Sequence, residues 1–359
     1  MLPENSIRFR FGRALMLRFR TLVPRKAGHM ILGTGRAEAV FSAWEDLGIA
    51  KGLRKWAEHA LPYGSANLQN LLDRRRAARE AAAGFTGLHS RFAAAHGYPL
   101  SLDNPQTFSE KIQWRKLNDR NPLLPVFADK LLAKSWVEDR LGEDLSVPTL
   151  FAIKDPRHLP EDIADQDVLL KVTHASARNL FVKLGGGITR NEIIRRISRD
   201  YYRDYGTLIH EWAYSQVDRS IIAEPVLRKL DGSLPDDLKL HMMDGELKLV
   251  QFNKSGLDAA TLRQKIESTA YISKDWTLLP VTRAGGEISE LPSRPRQLDR
   301  ILQIANSLSR GIDYLRVDFF LCDDDFYVSE MSFYTSSGFK PFSPSSFDRE
   351  LGQSWTLPN

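Results

Sequence analysis

The sequence predicts an α+β fold with mostly antiparallel sheets, and three observations carry that reading. Apolar, strand-like runs at 168–172 and 221–227 alternate with helical segments beyond Asp129. Two further strand pairs, 238–244 with 246–252 and 314–320 with 326–332, close over tight turns at Asp244-Gly245 and Asp323-Asp324-Asp325. Such turns join antiparallel neighbours, because a parallel pair needs a long crossover.

Composition sets the outer limits. Of 359 residues, 26% are charged and 42% hydrophobic, a globular balance able to bury a large core in two or three domains. The single cysteine, Cys322, excludes an internal disulfide framework and a cysteine-rich zinc site, and fits a reducing cytoplasm. No apolar run is long enough to cross a bilayer. The stretch Ala14-Leu15-Met16-Leu17 stops at Arg18, too short for a secretory signal. Residues 1–100 carry 16 Lys/Arg against 7 Asp/Glu, whereas the other 259 carry 34 against 38. The basic excess is therefore local, and the overall pI does not argue for nucleic-acid binding.

Taken in order, residues 6–23 set Ile7, Phe11, Leu15, Phe19 and Leu22 at helical spacing among five arginines. This segment suits an amphipathic helix on an anionic membrane, or a basic helix covering the protein's own core, and Arg8-Phe9-Arg10-Phe11 also permits a short strand. Residues 36–95 read as helical, with 73–80 a solvated charged face. Thr107, with Glu110 three residues later, forms a capping box that starts another helix. Asp129-Lys130-Leu131-Leu132-Ala133-Lys134 opens the next, with both lysines on adjacent turns of one face. Strand 168–172 carries Lys171 just before the small-residue loop Thr173-His174-Ala175-Ser176-Ala177-Arg178-Asn179. Helix 188–202, strand 221–227 with its acidic exit Glu224, the hairpin bearing Asp237-Leu238-Lys239, helix 300–308 and the acidic hairpin complete the order.

The acidic hairpin and the lysines carry the chemistry. Counting outward from the turn, a regular hairpin sets Asp318 and Glu330 almost opposite each other on one face. Two carboxylates that close repel unless a cation lies between them, and Mg²⁺, which takes oxygen ligands and travels with phosphates, is the natural candidate. A strand lysine pointing inward is expensive unless it meets an anion, and a loop of small residues can turn backbone N–H groups toward phosphate oxygens. Lysines early and an Arg/Asp/Glu hairpin late together suit a triphosphate with its divalent metal.

In order and spacing these pieces resemble the ATP-grasp superfamily, and more narrowly the TupA-like ATP-grasp family named for teichuronopeptide biosynthesis. The resemblance covers roughly residues 92–357 and rests on Gly97-Tyr98, Asn104-Pro105-Gln106-Thr107-Phe108-Ser109-Glu110-Lys111-Ile112-Gln113-Trp114, Asp129-Lys130, Lys171-Val172-Thr173-His174, Glu211-Trp212, Asp237-Leu238-Lys239, Arg316-Val317-Asp318 and Ser337-Gly338-Phe339. It implies a basic helical extension at 1–95, a helical linker at 96–160, and two α+β lobes, 161–227 and 228–359, clamping ATP. Lys130 or Lys134, and Lys171, would contact phosphates. The loop, through Ser176 and Asn179, would follow them. Residues 223–227 would be the hinge, with Val226 offering backbone to adenine and Glu224 or a neighbour near the ribose. Lys239 would face the nucleotide, Arg316 would steady the transition state, and His174 is a candidate base, while His241 reads as structural. Asp318, Glu330 and Ser332 would hold Mg²⁺. The sequence departs from the family in its loop, where alanines replace the usual glycines. Alanine resists positive φ, so either the loop keeps an ordinary backbone with help from Arg178, or nucleotide binding weakens.

The implied activity is an ATP-dependent carboxylate–amine ligase working through an acyl phosphate. Its substrates would be a carboxylate-bearing small molecule or glycan of cell-surface polysaccharide biosynthesis and an amine donor. A sugar phosphotransferase and a non-catalytic scaffold are the alternatives. The expected location is the cytoplasm, at the inner membrane surface if residues 1–26 make peripheral contact. Arg263, Lys265, Tyr271 and residues 334–342 are expected near the acceptor.

Overall fold

The computed structural model describes residues 62–257 and 264–358. The expectations for 6–23 and 36–61, and for Arg263, lie outside these residues. The chain divides into two compact units, 1–72 and 73–359; apart from the start of the first helix, which crosses that boundary, everything below concerns the second.

Helices come first. α1 (Pro62–Ala82) carries the charged run at 73–80 and is followed by α2 (Thr86–His96). α3 (Phe108–Asn118) begins at the capping box: Glu110 N–H donates to Thr107 Oγ1 (3.1 Å), and Thr107 N–H donates to Glu110 Oε2 (2.9 Å). α4 (Leu123–Ala128) leads into α5 (Lys130–Leu141), capped by Asp129, whose Oδ1 accepts from Leu131 N–H at 2.9 Å.

A four-stranded antiparallel sheet follows, built from β1 (Phe151–Ile153), β2 (Val168–Val172), β3 (Asn179–Val182) and β4 (Ile221–Pro225) in the order β1-β4-β2-β3. Strand alternation gives it two unlike faces. Val168, Leu170, Val172, Ile221 and Ala223 bury against Ile193, Ile197 and Tyr201 of α6 (Arg190–Tyr201). Leu169, Lys171, Ile222 and Glu224 are left for the other face, with Leu169 paired to Glu224 and Lys171 to Ile222.

The second sheet contains β5 (Asp236–Met243), β6 (Glu246–Leu257) and β7 (Gln264–Ile272). After the short β8 (Thr282–Arg283) and α7 (Leu298–Ser309) come its last two strands, β9 (Leu315–Cys322) and β10 (Asp325–Ser332). The order is β10-β9-β5-β6-β7, again antiparallel. Leu238, Leu240, Met242, Leu315, Val317, Phe319 and Leu321 pack on Leu298, Ile301, Ile304, Ala305 and Leu308 of α7. The opposite face then presents Asp237, Lys239 and His241 beside Arg316, Asp318 and Phe320. The segment after α5 joins the β10 edge, where Val328 N–H donates to Leu145 O at 2.8 Å. Finally β11 (Phe342–Ser343) pairs with β8, and α8 (Ser345–Gln353) returns to α3.

That return is close. A Cβ on Gly352 would lie 2.4 Å from Gln106 O and 2.6 Å from Phe108 N, both backbone atoms that cannot swing aside. Gly352→Ala should therefore cost about 2–3 kcal/mol by overpacking, read as a lower denaturant midpoint with an unchanged slope.

Candidate active site

Three lysines converge from two elements. Lys171 Nζ, on the polar face of β2, lies 2.5 Å from Glu224 Oε2 on β4. Lys134, one turn into α5, reaches Glu224 Oε1 at 2.6 Å and donates to Val147 O and Thr149 Oγ1. Lys130, one turn earlier, donates to the carbonyl of Ala175 in the 173–179 loop. Both oxygens of Glu224 are thus taken by lysines. Burial alone would raise its pKa, but Lys171 and Lys134 hold it below the usual carboxylate range. Lys130 is pushed down to about 8, chiefly by burial and further by Lys171, while Glu330 and Glu224 oppose the shift. Since charges act on it from both sheets, Lys130 stands where their two polar faces meet.

The loop resolves the alanine question. Ala177 adopts φ 55°, so an alanine does occupy the left-handed conformation. Arg178 turns outward to Asp200 (3.1 Å) rather than toward the cleft. Asn179 opens β3 opposite Lys171, and Ser176 is half-buried in contact with the Tyr205 side chain. His174, the candidate base, is 1% exposed; its Nε2–H donates to Arg203 O (3.1 Å), and its ring meets Tyr201 edge-on. Burial, then the charge of Arg219, pushes its pKa down to about 4, so the ring is neutral. The glycines absent from this loop occur instead in the turn after β3, where Gly186 and Gly187 line the cleft just before Thr189, the α6 N-cap. Their three-in-a-row run before a helix start was the available signal.

On the second sheet a bulge sets the carboxylates. From the turn, Asp325 pairs with Cys322 and Val328 with Phe319, a register that would give Asp318 to Ser329. A shift between Val328 and Glu330 instead places Glu330 directly opposite Asp318 and Ser332 opposite Arg316. The extra residue lets Val328 and Met331 both face the core while Glu330 joins Asp318 on the polar face. Asp318, 1% exposed, accepts a two-pronged contact from Arg316 (Nε to Oδ1 and Nη2 to Oδ2, each 2.6 Å) and a third bond from Lys239 Nζ at 2.7 Å. Burial would raise its pKa, yet Arg316 and Lys239 outweigh burial and lower it. Arg316 also donates to Ser332 Oγ (3.1 Å), and Lys239 to Asp237 (2.6 Å). Glu330 has no ion-pair partner among the described residues. The donor set fits a divalent cation: two carboxylates and a hydroxyl on neighbouring strands, all hard oxygens, one carboxylate uncommitted.

Two cavities flank this centre. One, about 950 Å³, lies on the polar face of the first sheet and is lined by Leu169, Lys171, Glu224, Val226, Leu227 and Phe320. It thus runs from Lys171 to the face of β9 that also carries Asp318. The other, about 1080 Å³, is lined by Lys239, Arg316, Asn253, Tyr271, Arg283 and Lys340. Lys265 lies outside its lining, while Tyr271, Ser336 and Lys340 belong to it.

Removing one partner from a buried charge cluster leaves the others unpaired. Asp318→Asn should lose about 3 kcal/mol, whereas Glu330→Gln should stay within about 0.5 kcal/mol. Because the folded pKa of Asp318 is depressed, its stabilisation is present above the unfolded carboxylate pKa and is lost as pH falls through the folded value. Acid titration of thermal stability should show that loss in the wild type and not in Asp318→Asn. An alanine held left-handed costs about 1 kcal/mol, so Ala177→Gly should stabilise by up to about that amount in equilibrium unfolding.

The family model for TupA-like ATP-grasp proteins matches residues 110–356. Among solved structures, D-alanine–D-alanine ligase from Bacillus anthracis is similar at 13% identity and TM-score 0.32, with 58% of this chain and 57% of that one covered. Phosphoribosylamine–glycine ligase from Thermotoga maritima is similar at 13% identity and TM-score 0.37, with 60% and 51% covered. The chain thus spans little more than half the length of those enzymes. No curated protein matches it. The family match covers more than two-thirds of the sequence and contains every charged residue of the site: the chain belongs to the TupA-like ATP-grasp family.

Proposed function

We propose that this protein is an ATP-dependent carboxylate–amine ligase. The observation that carries the reading is the position of Lys130, in the fields of Lys171 and Glu224 on one sheet and of Glu330 on the other. Cations from the first half of the site and carboxylates from the second converge there, as a triphosphate requires. Adenine would occupy the 950 Å³ cavity against Val226 and Leu227, with Lys130, Lys134 and Lys171 on the phosphates. Asp318 and Glu330, with Ser332 adjacent, would hold Mg²⁺, which when bound neutralises phosphate charge. Glu224 would release one lysine to the nucleotide while keeping the other, and Ser176 and Asn179 would border the phosphates.

In the first step a substrate carboxylate oxygen bonds to the γ-phosphorus as the bond to ADP breaks. In the second, an amine nitrogen bonds to the acyl carbon, phosphate leaves, and the amine loses a proton. Arg316 stands where negative charge collects in both steps, and its two bonds to Asp318 fix its aim. The chain's work is to orient and neutralise, so no covalent nucleophile is needed. The larger cavity, with Gln251, Asn253, Ser268 and Thr269 on its wall, suits a hydroxyl-rich acceptor such as a uronic acid unit of a surface polysaccharide. Residues 1–26 are proposed to hold a cytoplasmic enzyme at the inner membrane surface. Among the described residues no helix is long and apolar enough to cross it.

Hydroxylamine should trap the acyl phosphate as a hydroxamate in an ATP- and Mg²⁺-dependent reaction with uronic acids. Phosphosugar without hydroxamate would replace the ligase reading with a kinase-like one. Lys171→Met and Glu330→Gln should abolish ADP release. Phosphate binding needs Lys130 protonated, and burial pushes its pKa down to about 8. The Kd for Mg-ATP should therefore climb above that pH, by up to about tenfold per unit, and Lys130→Arg should remove the climb.

A further inference from the structure

Just past β10 the chain makes a left-handed turn in which each residue meets something different. Ser336, Ser337 and Gly338 have φ 48°, 52° and 68°. At Gly338 there is no room for a side chain: a Cβ would lie 2.7 Å from Gln113 Nε2 and 2.9 Å from Ser109 O. At Ser337 the side chain is an anchor. Its Oγ accepts from Lys116 Nζ at 3.1 Å, and its carbonyl accepts from the same ammonium at 3.2 Å and from Gln113 Nε2 at 2.9 Å. The Ser337 hydroxyl also faces the Glu211 carboxylate. Lys116 and Glu211 are 1% and 4% exposed, and among the described residues neither has a direct ion-pair partner. Their charges act on each other across Ser337. Ser336 is the exception. It is exposed, it stands on the wall of the larger cavity with Arg316 and Lys239, and its hydroxyl bonds to none of the described residues.

An L-residue at positive φ carries a backbone cost that glycine avoids, and it persists where the surroundings hold it and its side chain has a use. For Ser337 that use lies inside the protein. For Ser336 nothing inside the protein takes the hydroxyl, and the space it borders is the cavity. A lysine buried as deeply as Lys116 is expensive, and both of its hydrogen bonds go to Ser337, the residue that fixes where Ser336 sits. The Phe339 ring closes the far side of the turn, with Lys116 at 4.7 Å and Arg91 at 4.3 Å from its centre. We propose that the Ser336 hydroxyl contacts the hydroxyl-rich acceptor in the larger cavity, and that Lys116, acting through Ser337, is its positioning residue. That this acceptor is a uronic acid rests on the function proposed above; the contact itself is a property of the cavity. A hydroxyl both donates and accepts, so it bonds a sugar hydroxyl or a carboxylate oxygen without adding charge beside Arg316.

The test uses the full chain loaded with Mg²⁺ and a non-hydrolysable ATP analogue, titrated calorimetrically with glucuronate and galacturonate. The wild type should bind at least one of them. Ser336→Ala and Ser336→Gly should each weaken that binding about threefold to tenfold, the worth of one hydrogen bond. Ser336→Gly should at the same time raise the denaturant midpoint, because it relaxes the backbone. A serine kept for the fold alone would not lose affinity while the fold gains stability. Lys116→Met should weaken uronate binding in the same direction and speed amide hydrogen exchange at 335–339. In turnover, Ser336→Gly should raise KM for the uronate about fivefold while kcat moves less than about twofold. Binding of neither uronate by the wild type, or undiminished binding by Ser336→Gly, overturns the proposal. Wild-type exchange at 335–339 in folded Lys116→Met overturns the positioning role. Uronate binding that depends on Ser336 but yields no hydroxamate with ATP and hydroxylamine would sink the ligase reading and leave the contact standing. Hydroxamate formation with undiminished affinity in both Ser336 variants would do the reverse.

Discussion

The contact between Asp318 and Arg316 is the constraint on which the site depends. Arg316 and Asp318 are two residues apart on β9, so both project from one face, and β5 brings Lys239 opposite Asp318. The result is a ladder, Asp237–Lys239–Asp318–Arg316, with two anions and two cations in alternation. Neither cation would tolerate this burial alone, and neither anion would stay ionised. Together they balance, and a rigid Arg316 follows from that balance. Beyond the ladder, Asn253 steadies Asp237 at 3.2 Å and itself accepts from Gln251 and Thr269 at 3.0 Å. The polar face of the sheet is therefore braced across four strands, β9, β5, β6 and β7.

The first sheet is arranged in the opposite sense. Lys134 and Lys171 share Glu224, and Lys130 feels its charge and, from across the cleft, that of Glu330, so positive charge is in excess. A balanced ladder thus faces an unbalanced cluster. Ala177, at positive φ, stands at the edge of the cationic side, a position where glycine would relax the backbone.

Legibility in the sequence followed the range of the forces involved. Local devices were readable: β2 at Val168–Val172, the Thr107–Glu110 capping box and the Asp244-Gly245 hairpin turn all depend on neighbouring residues. So were Lys171 and Asp318, because a charge inside an apolar strand is conspicuous. β1, β3 and β7 were not: three apolar residues, a strand merged with its loop, and a mixed run carry weak periodicity until a partner strand supplies the other half.

The β10 bulge shows how register can carry function. Perfect alternation from the turn would send Glu330 to the α7 side and Met331 to the polar face, putting a charge in the core and a thioether opposite Arg316. The core's demand for Val328, Met331 and Phe333 is what drives the slip, and the placement of Glu330 is its consequence. Downstream, the chain passes through Ser336, Ser337 and Gly338, all at positive φ. Two L-residues in that conformation persist only if held, and α3 holds them: Gln113 and Lys116 donate to Ser337 O at 2.9 and 3.2 Å. Ser336 then stands on the wall of the larger cavity. A helix far earlier in the chain (α3, Phe108–Asn118) thus supports a wall of the larger cavity, which gives a physical reason for its sequence to be part of the family pattern.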